Sequence, residues 1–209
     1  MEVSFIYGIT GGDFNAISVP YNSAIKNFHD LKRRAAEISL SAGGTVLGSN
    51  SWYASLLLRE AVGMKFKYVP YESGTEAATA AGGGHVDFAI TSIVSAVQPV
   101  QNKLIRTIAT FGDKRDPDFP DVPTLVDLGY KDVHFSTRLG FGGPPGMSNE
   151  IMATIANATA KAVQDAKFKE IAKRQGFTVD PLPGPEFHRW AVGINEQARK
   201  FLTLAGEIK

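Results

Sequence analysis

Short apolar segments alternate with helical runs along most of this chain, and that alternation restricts the fold more than any other feature of the sequence. Phe14–Val19 reads as a strand, and Asn27 opens a helical run to Glu37 with Phe28, Leu31 and Ala35 on one face. Thr45–Gly48 is a short buried-strand candidate. Ser51–Val62 follows as a helix, with Ala54, Leu57, Leu58, Ala61 and Val62 spaced i, i+3, i+4, i+7, i+8. Phe66–Val69 reads as a strand, Thr75–Ala81 as an alanine-rich helix stopped by Gly82-Gly83-Gly84, and Val86–Ile90 as a strand. Ser92–Gln101 is a helix interrupted or tilted at Pro99, and Ile105–Thr110 another strand. This spacing points to an α/β fold whose parallel sheet is built from right-handed crossovers.

Beyond residue 111 the pattern changes. Gly112–Pro123 is a proline-punctuated surface connection. Thr124–Leu128 reads as a short helix closed by Gly129, and His134–Phe141 alternates like a strand before the rigid corner Gly142–Gly146. Two longer helices end the chain. The first takes Ser148 as its N-cap and shows an Ile151, Ile155, Ala158, Ala162 stripe. The second carries Pro185 in its first turn. Its stripe of Phe187, Trp190, Ala191, Ile194, Ala198, Phe201 and Leu202 is too apolar to be left in water.

Several function classes drop out at once. With 22 basic against 21 acidic side chains, no global field steers the chain to nucleic acid or an anionic membrane. The absence of cysteine removes thiol catalysis, zinc ribbons and iron–sulfur clusters. No apolar run approaches the ~18 residues of a membrane span. Met1–Tyr7 lacks the basic and hydrophobic regions of a signal peptide, so the sequence as written carries no visible export address. His29, His85, His134 and His188 never fall at i, i+4 spacing. No HExxH, Gly-x-Ser-x-Gly or Walker loop is present. Gly82–Gly84 follows a helix instead of preceding one, and so reads as a C-cap and turn.

What recurs instead is a strand end running into a helix start rich in small polar residues. The three turns are Gly48–Trp52, Pro70–Thr75 and Asp87–Ser92. Each by itself fits an ordinary N-cap. In a parallel sheet, however, all three fall on the carboxyl edge, where free backbone N–H groups and the positive ends of helix dipoles suit a carboxylate or phosphate. No histidine or paired carboxylate stands beside them, which favours holding a ligand over converting it.

The residues in these turns carry a family resemblance. Val69-Pro70-Tyr71-Glu72-Ser73-Gly74 and Gly83-Gly84-His85-Val86-Asp87-Phe88-Ala89 resemble a run found in the receptors of tripartite tricarboxylate transporters, the TctC or Bug solute-binding proteins. Lys114-Arg115, Phe119–Leu125, Leu128-Gly129-Tyr130 and the Arg138–Gly146 corner resemble later segments of the same family, in the same order. Asp127 stands where the family more often has glutamate.

The resemblance implies a periplasmic-binding-protein-like, type II-like α/β fold of parallel-sheet lobes. It places a complete central lobe at residues 17–134, a remnant of the other lobe and hinge entry at 1–16, and the rest of that lobe at 135–209. The usual N-terminal half-lobe and signal peptide are expected to be missing, leaving the second lobe incomplete. Its apolar α-helical stripe would then be covered by another copy in a homo-oligomer.

By the same resemblance the ligand is a small organic carboxylate (a di- or tricarboxylate or a related acid) passed to membrane permease subunits outside the cytoplasm. A chain complete as written would instead be cytoplasmic. The ligand-facing residues are Ser49, Asn50, Ser51, Tyr71, Ser73, Gly74, Thr75, Thr91 and Ser92. Arg138 is either a carboxylate contact or the partner of an Asp or Glu. Trp52 and Tyr53 either wall the site or pack, and Asp87 pins a turn. Neither the residues nor the resemblance calls for a cofactor, a metal or nucleic acid. The alternative function is an oligomeric or partner-binding scaffold without transport, and an enzyme on the same fold fits least.

Overall fold

The computed structural model describes residues 3–117 and 119–208. Met1 and Glu2, at the start of the segment read for a signal peptide, and Asp118, in the proline-rich connection, lie outside the described residues. The chain divides into two compact units. Unit one comprises Met1–Asp13 and Thr137–Ala198, and unit two comprises Phe14–Ser136 and Arg199–Lys209. The residues after Ala198 thus group with the central unit, unlike the 135–209 span expected from the sequence. Phe201 is buried there, in the same core cluster as Phe28, Phe111 and Leu125.

Unit two is organised by a five-stranded sheet of β2 (Asn15–Pro20), β3 (Leu40–Thr45), β4 (Phe66–Tyr71), β5 (Phe88–Ser92) and β6 (Ile105–Thr110). Their order is β4-β3-β5-β2-β6. β3 pairs parallel with β4 and β5, whereas β2 pairs antiparallel with both β5 and β6. One reversed strand therefore sits among four that run the same way.

The pleat sends alternate residues to opposite faces, and each face has its own core. Ile17, Val19, Phe88, Ile90 and Ile108 meet α1 (Phe28–Glu37) and α2 (Asn50–Glu60) on one side. Ala16, Ala89 and Ile105 meet α3 (Gly74–Gly82) and α4 (Ile93–Gln101) on the other. Small alanines on α3 (Ala78, Ala80 and Ala81) allow this second helix layer to lie close to the sheet.

The helix boundaries follow local chemistry. Asn27 caps α1 by accepting from the Asp30 N–H, and α3 closes through Gly83 and Gly84, with His85 N–H donating to Ala80 O. Pro99 does not interrupt α4, which continues to Gln101 before the Asn102 cap.

The strand expected at 45–48 lies earlier, at Leu40–Thr45, because Val46–Ser49 is a tight turn closed by Ser49 N–H to Val46 O. Gly48 occupies the third position of that turn at φ +83°, which a type II turn reserves for glycine. The expected Thr124–Leu128 helix is a series of hydrogen-bonded turns that drives Leu125 into the core.

Unit one holds a three-stranded sheet ordered β7-β1-β8, formed by β1 (Ser4–Gly11), β7 (Gly140–Gly143) and β8 (Thr178–Pro183). β1 runs antiparallel to both neighbours. Of the strand expected at His134–Phe141 there remain one isolated bridge from Thr137 to Asp13 and the start of β7, which runs on into the expected Gly142–Gly146 corner. α5 (Asn149–Ala162) lies against β1, and α6 (Ala166–Arg174) against β8.

Ser148 caps α5 as expected, but its packed face is not the expected stripe. Thr159 is buried and Met152, Ile155 and Ala156 are half-buried, whereas Ile151, Ala158 and Ala162 face solvent. α7 (Gly184–Leu204) keeps its predicted apolar stripe. Phe187, Ala191 and Phe201 are buried, and Trp190 and Ile194 are half-buried. Ala198 and Leu202 are half-buried as well, so part of the stripe stays open to solvent.

Candidate functional site

All three polar turns singled out in the sequence lie in unit two, at the carboxyl ends of β3, β4 and β5. These strands are neighbours in the sheet, so the starts of α2, α3 and α4 share one edge. β3 sends its helix to one face and β5 sends its helix to the other. This reversal is the switch point at which open α/β sheets hold ligands.

Each tip is capped by serine. Ser49 accepts from Trp52 N–H at 3.2 Å, Ser73 from Glu76 N–H at 3.1 Å, and Ser92 from Ser95 N–H at 3.3 Å. The N-cap reading of these serines is therefore correct, and capping is compatible with an exposed tip. It leaves the N–H groups of Asn50 and Ser51, and of Gly74 and Thr75, without an intrahelical acceptor.

The tips differ in what the protein itself supplies. α4 is partly closed, because Ile93 N–H donates to Phe14 O at 2.8 Å. α3 carries Glu76 in its first turn, whose carboxylate accepts from Glu72 N–H at 3.1 Å. α2 has no acidic residue in its first turn and offers the positive end of its dipole unopposed.

The loop before α2 is held firmly. Thr45 Oγ1 donates to Ser49 Oγ at 2.8 Å, and the Tyr68 hydroxyl donates to Thr45 O at 2.6 Å. Burial pushes the Tyr68 phenol up to about 12 against a hydrogen bond with Ser49, and burial alone pushes Tyr53 up to about 12. Both remain neutral donors across the physiological range.

Gly74 lets α3 and α4 come together. A Cβ there would lie 2.7 Å from Ser95 Oγ and 3.6 Å from Thr91 Cβ. Thr91 thus lies beneath the first residue of α3. It is fully buried, and its Oγ1 has no hydrogen-bond partner among the described residues. Such a group is rare in folded proteins.

Two further rim residues escaped the sequence reading. Asn15 opens β2 opposite Ser92 and donates through Nδ2 to Ser51 Oγ at 3.1 Å in a buried setting. Thr110, at the end of β6, has a buried Oγ1 that also lacks a partner. Thr91 and Thr110 both pair with Ala16, so the two hydroxyls flank it on one face. The signal for Asn15 was a polar residue heading an otherwise apolar strand. Its relevance depends on β2 running backwards, which places its first residue on the carboxyl edge.

Tyr71 is half-buried, and Tyr53 packs edge-on to Phe135 at 5.1 Å. Asp87 does pin a turn, accepting from the backbone N–H and the hydroxyl of Ser41 at 2.7 and 2.8 Å.

Arg138 belongs to unit one. Its guanidinium pairs with the Asp180 carboxylate, donates to Asp180 O at 2.8 Å and lies 5.9 Å from the Trp190 ring centre. Of its two readings, the structure shows the ion pair. The guanidinium ties β8 to α7 within unit one.

Known proteins share this architecture. The solved structure described as R. palustris Rpa4515 with adipate matches with a TM-score of 0.85 at 19% identity, covering 99% of this chain and 69% of that one. Periplasmic binding protein BugD matches at 0.81 and 20%, covering 97% and 69%. MatC from Rhodopseudomonas palustris with bound malate matches at 0.78 and 21%, covering 97% and 69%. The fold is therefore that of the periplasmic-binding proteins.

The description "Tripartite tricarboxylate transporter family receptor" belongs to a family model that matches residues 6–199, and the chain belongs to that family. Among curated relatives, the UPF0065 protein in the gbd 5' region of Cupriavidus necator is 28% identical over 184 residues, covering 86% of this chain and 54% of the relative. Protein BugT of Bordetella pertussis is 25% identical over 177 residues, covering 81% and 54%. The chain thus spans about half the length of the curated relatives it matches. No helix among the described residues is long and apolar enough to cross a membrane.

Proposed function

We propose that this chain binds a small organic carboxylate, a di- or tricarboxylate or a related acid, and releases it unchanged. It would serve as the solute receptor of a tripartite tricarboxylate-type transporter, handing its ligand to membrane permease subunits outside the cytoplasm. The observation that carries the reading is the shared rim of unit two, where the tips of α2 and α3 lie on one sheet edge and the start of α3 covers the buried, unpartnered hydroxyl of Thr91. The contact set is Ser49, Asn50 and Ser51, then Tyr71, Ser73, Gly74 and Thr75, then Thr91 and Ser92. Asn15 holds Ser51 in place.

The chemistry is that of an anion held by fixed N–H groups and neutral hydroxyls, with helix dipoles in place of a counter-ion. The serine hydroxyls of the rim already accept from helix N–H groups, which suits reversible capture over chemistry. The family's description as a receptor, and the adipate and malate in two of the similar structures, support the ligand class.

Isothermal titration with succinate, citrate, hexanoate and benzoate tests the proposal. One-site binding by at least one acid is expected, reduced tenfold or more by Ser49→Asp, which keeps the cap but adds like charge at the tip. The absence of heat across the panel, or indifference to Ser49→Asp, rejects it.

A further inference from the structure

The two sheets present four edge strands, β4, β6, β7 and β8, and three of them are guarded. β4 carries Lys67 and Pro70, β6 carries Arg106, and β8 carries Asp180, Pro181 and Pro183. Charged side chains and prolines along an edge keep another strand from adding to it. β7 is the exception. Its sequence is Gly140-Phe141-Gly142-Gly143, and no charged residue occurs from Leu139 to Asn149. β1 pairs with it on one side, and among the described residues no strand lies on the other. Gly140, Phe141 and Gly142 are all exposed.

Both faces beside this edge are apolar and open. A Cβ on Gly140 would lie 2.7 Å from the Phe187 ring, so the pleat turns Phe141 to the opposite face, where it is 50% exposed. Gly142 points the same way as Gly140, and its Cβ would lie 3.1 Å from Val3, which is 43% exposed. Leu139, one residue before the strand, is 55% exposed. Three large apolar side chains thus stand in water around a strand whose outer N–H and C=O groups face no other strand.

From this edge we infer that the chain forms a homodimer in which β7 of one copy pairs antiparallel with β7 of a second. The joined sheet then runs β8-β1-β7-β7-β1-β8. The occupant is a second copy for reasons of charge and closure. An uncharged edge meets its own copy without repulsion, whereas two β4 edges would bring Lys67 of each copy close together. A two-fold axis uses up β7 on both copies and leaves the guarded β8 strands outermost, so growth stops at two. Phe141 and its copy come within reach across the axis, and Val3 and Leu139 lose water with them. Four paired residues and three apolar side chains per copy make an interface at the small end of the specific range. The dimer is therefore weak, half dissociated at roughly tens of micromolar. This surface is not the α7 stripe, and the inference is independent of the carboxylate reading.

Sedimentation velocity of the full chain from about 1 to about 200 μM tests it, a range that brackets the expected dissociation constant. Wild type should pass from monomer to dimer with no larger species. Phe141→Lys and Phe141→Glu each place like charges across the axis. Both should stay monomeric over the whole range, with far-UV circular dichroism matching wild type. An equimolar mixture of the two should dimerise again, because opposite charges then meet, and that recovery separates a repelled interface from a damaged fold. Amide hydrogen exchange of wild type needs no substitution: exchange within residues 140–143 should slow by roughly threefold or more at the higher concentration. A wild type that stays monomeric throughout overturns the inference. So does a dimer retained by both variants, a mixture that fails to recover, or unchanged exchange at β7 in a dimeric sample.

Discussion

The side-chain amide of Asn15 donates to the hydroxyl of Ser51 at 3.1 Å, joining the first residue of β2 to the first turn of α2. Both residues are buried. The bond fixes the α2 tip against a strand that runs opposite to its neighbours.

Asn15→Ala should therefore cost stability as well as ligand affinity. Losing a buried hydrogen bond and leaving one partner unsatisfied costs about 1–3 kcal/mol. Urea denaturation of Asn15→Ala, Ser51→Ala and the double variant should show the two changes to be non-additive by about 1 kcal/mol. Strict additivity would show that the pair is not coupled.

Thr91→Val separates structural from ligand-binding roles. The hydroxyl satisfies no protein partner, so replacing it with a methyl group should leave stability equal to wild type or raise it by up to about 1 kcal/mol. Affinity for a bound acid should fall in the same variant. A destabilised protein with normal affinity would assign Thr91 to the core alone.

Arg138 should behave in the opposite way. Its side chain is 13% exposed and that of Asp180 49%, so the pair is partly screened. Arg138→Met should lower the unfolding free energy by about 1 kcal/mol, chiefly through the lost hydrogen bonds to Asp180, because water resolvates the half-exposed carboxylate. Titration with any acid that binds wild type should give an affinity within twofold. A hundredfold loss of affinity with unchanged stability would restore Arg138 to the ligand site.

The two raised phenols make a pH prediction. Tyr53 and Tyr68 have folded-state values of about 12, above the ordinary value of 10.0, because burial disfavours the phenolate. The unfolded chain loses these protons first. The contribution is therefore complete below pH 10 and disappears as pH rises from 10 through 12. Urea midpoints should be insensitive to these groups from pH 7 to 9 and fall above 10, less steeply in Tyr53→Phe. At neutral pH, Tyr53→Phe should be neutral or stabilising because its hydroxyl has no partner among the described residues. Tyr68→Phe should destabilise by about 1 kcal/mol through the lost bond to Thr45 O.

Much of unit two is legible in the sequence. Helical periodicity locates α1 and α2, and the alanine run with its glycine stop locates α3. The β3 position is displaced because Val46 and Leu47, apolar and β-compatible, mimic a strand while occupying a turn. β1, α6 and β8 went unread. β1 mixes glycines with apolar residues, α6 carries more charge than apolar surface, and β8 contains two prolines. On α5, periodicity located the helix but only Ile155 of its expected stripe on the packed face. Ile151 satisfies the spacing, yet Met152, Ile155, Ala156 and Thr159 make the packed face.

The candidate site divides along the same line. The caps Ser49, Ser73 and Ser92 act on N–H groups three residues away, a distance over which the amino-acid order alone dictates geometry. Sequence thus determined the α/β class, the family and the three polar helix starts. Tertiary structure decided which starts are neighbours, that β2 reverses and brings Asn15 to the rim, that Arg138 finds Asp180 forty-two positions away, and that Phe201 ends in unit two. Those outcomes depend on strand order and burial summed over the whole chain. Local propensity carries no record of such long-range pairings.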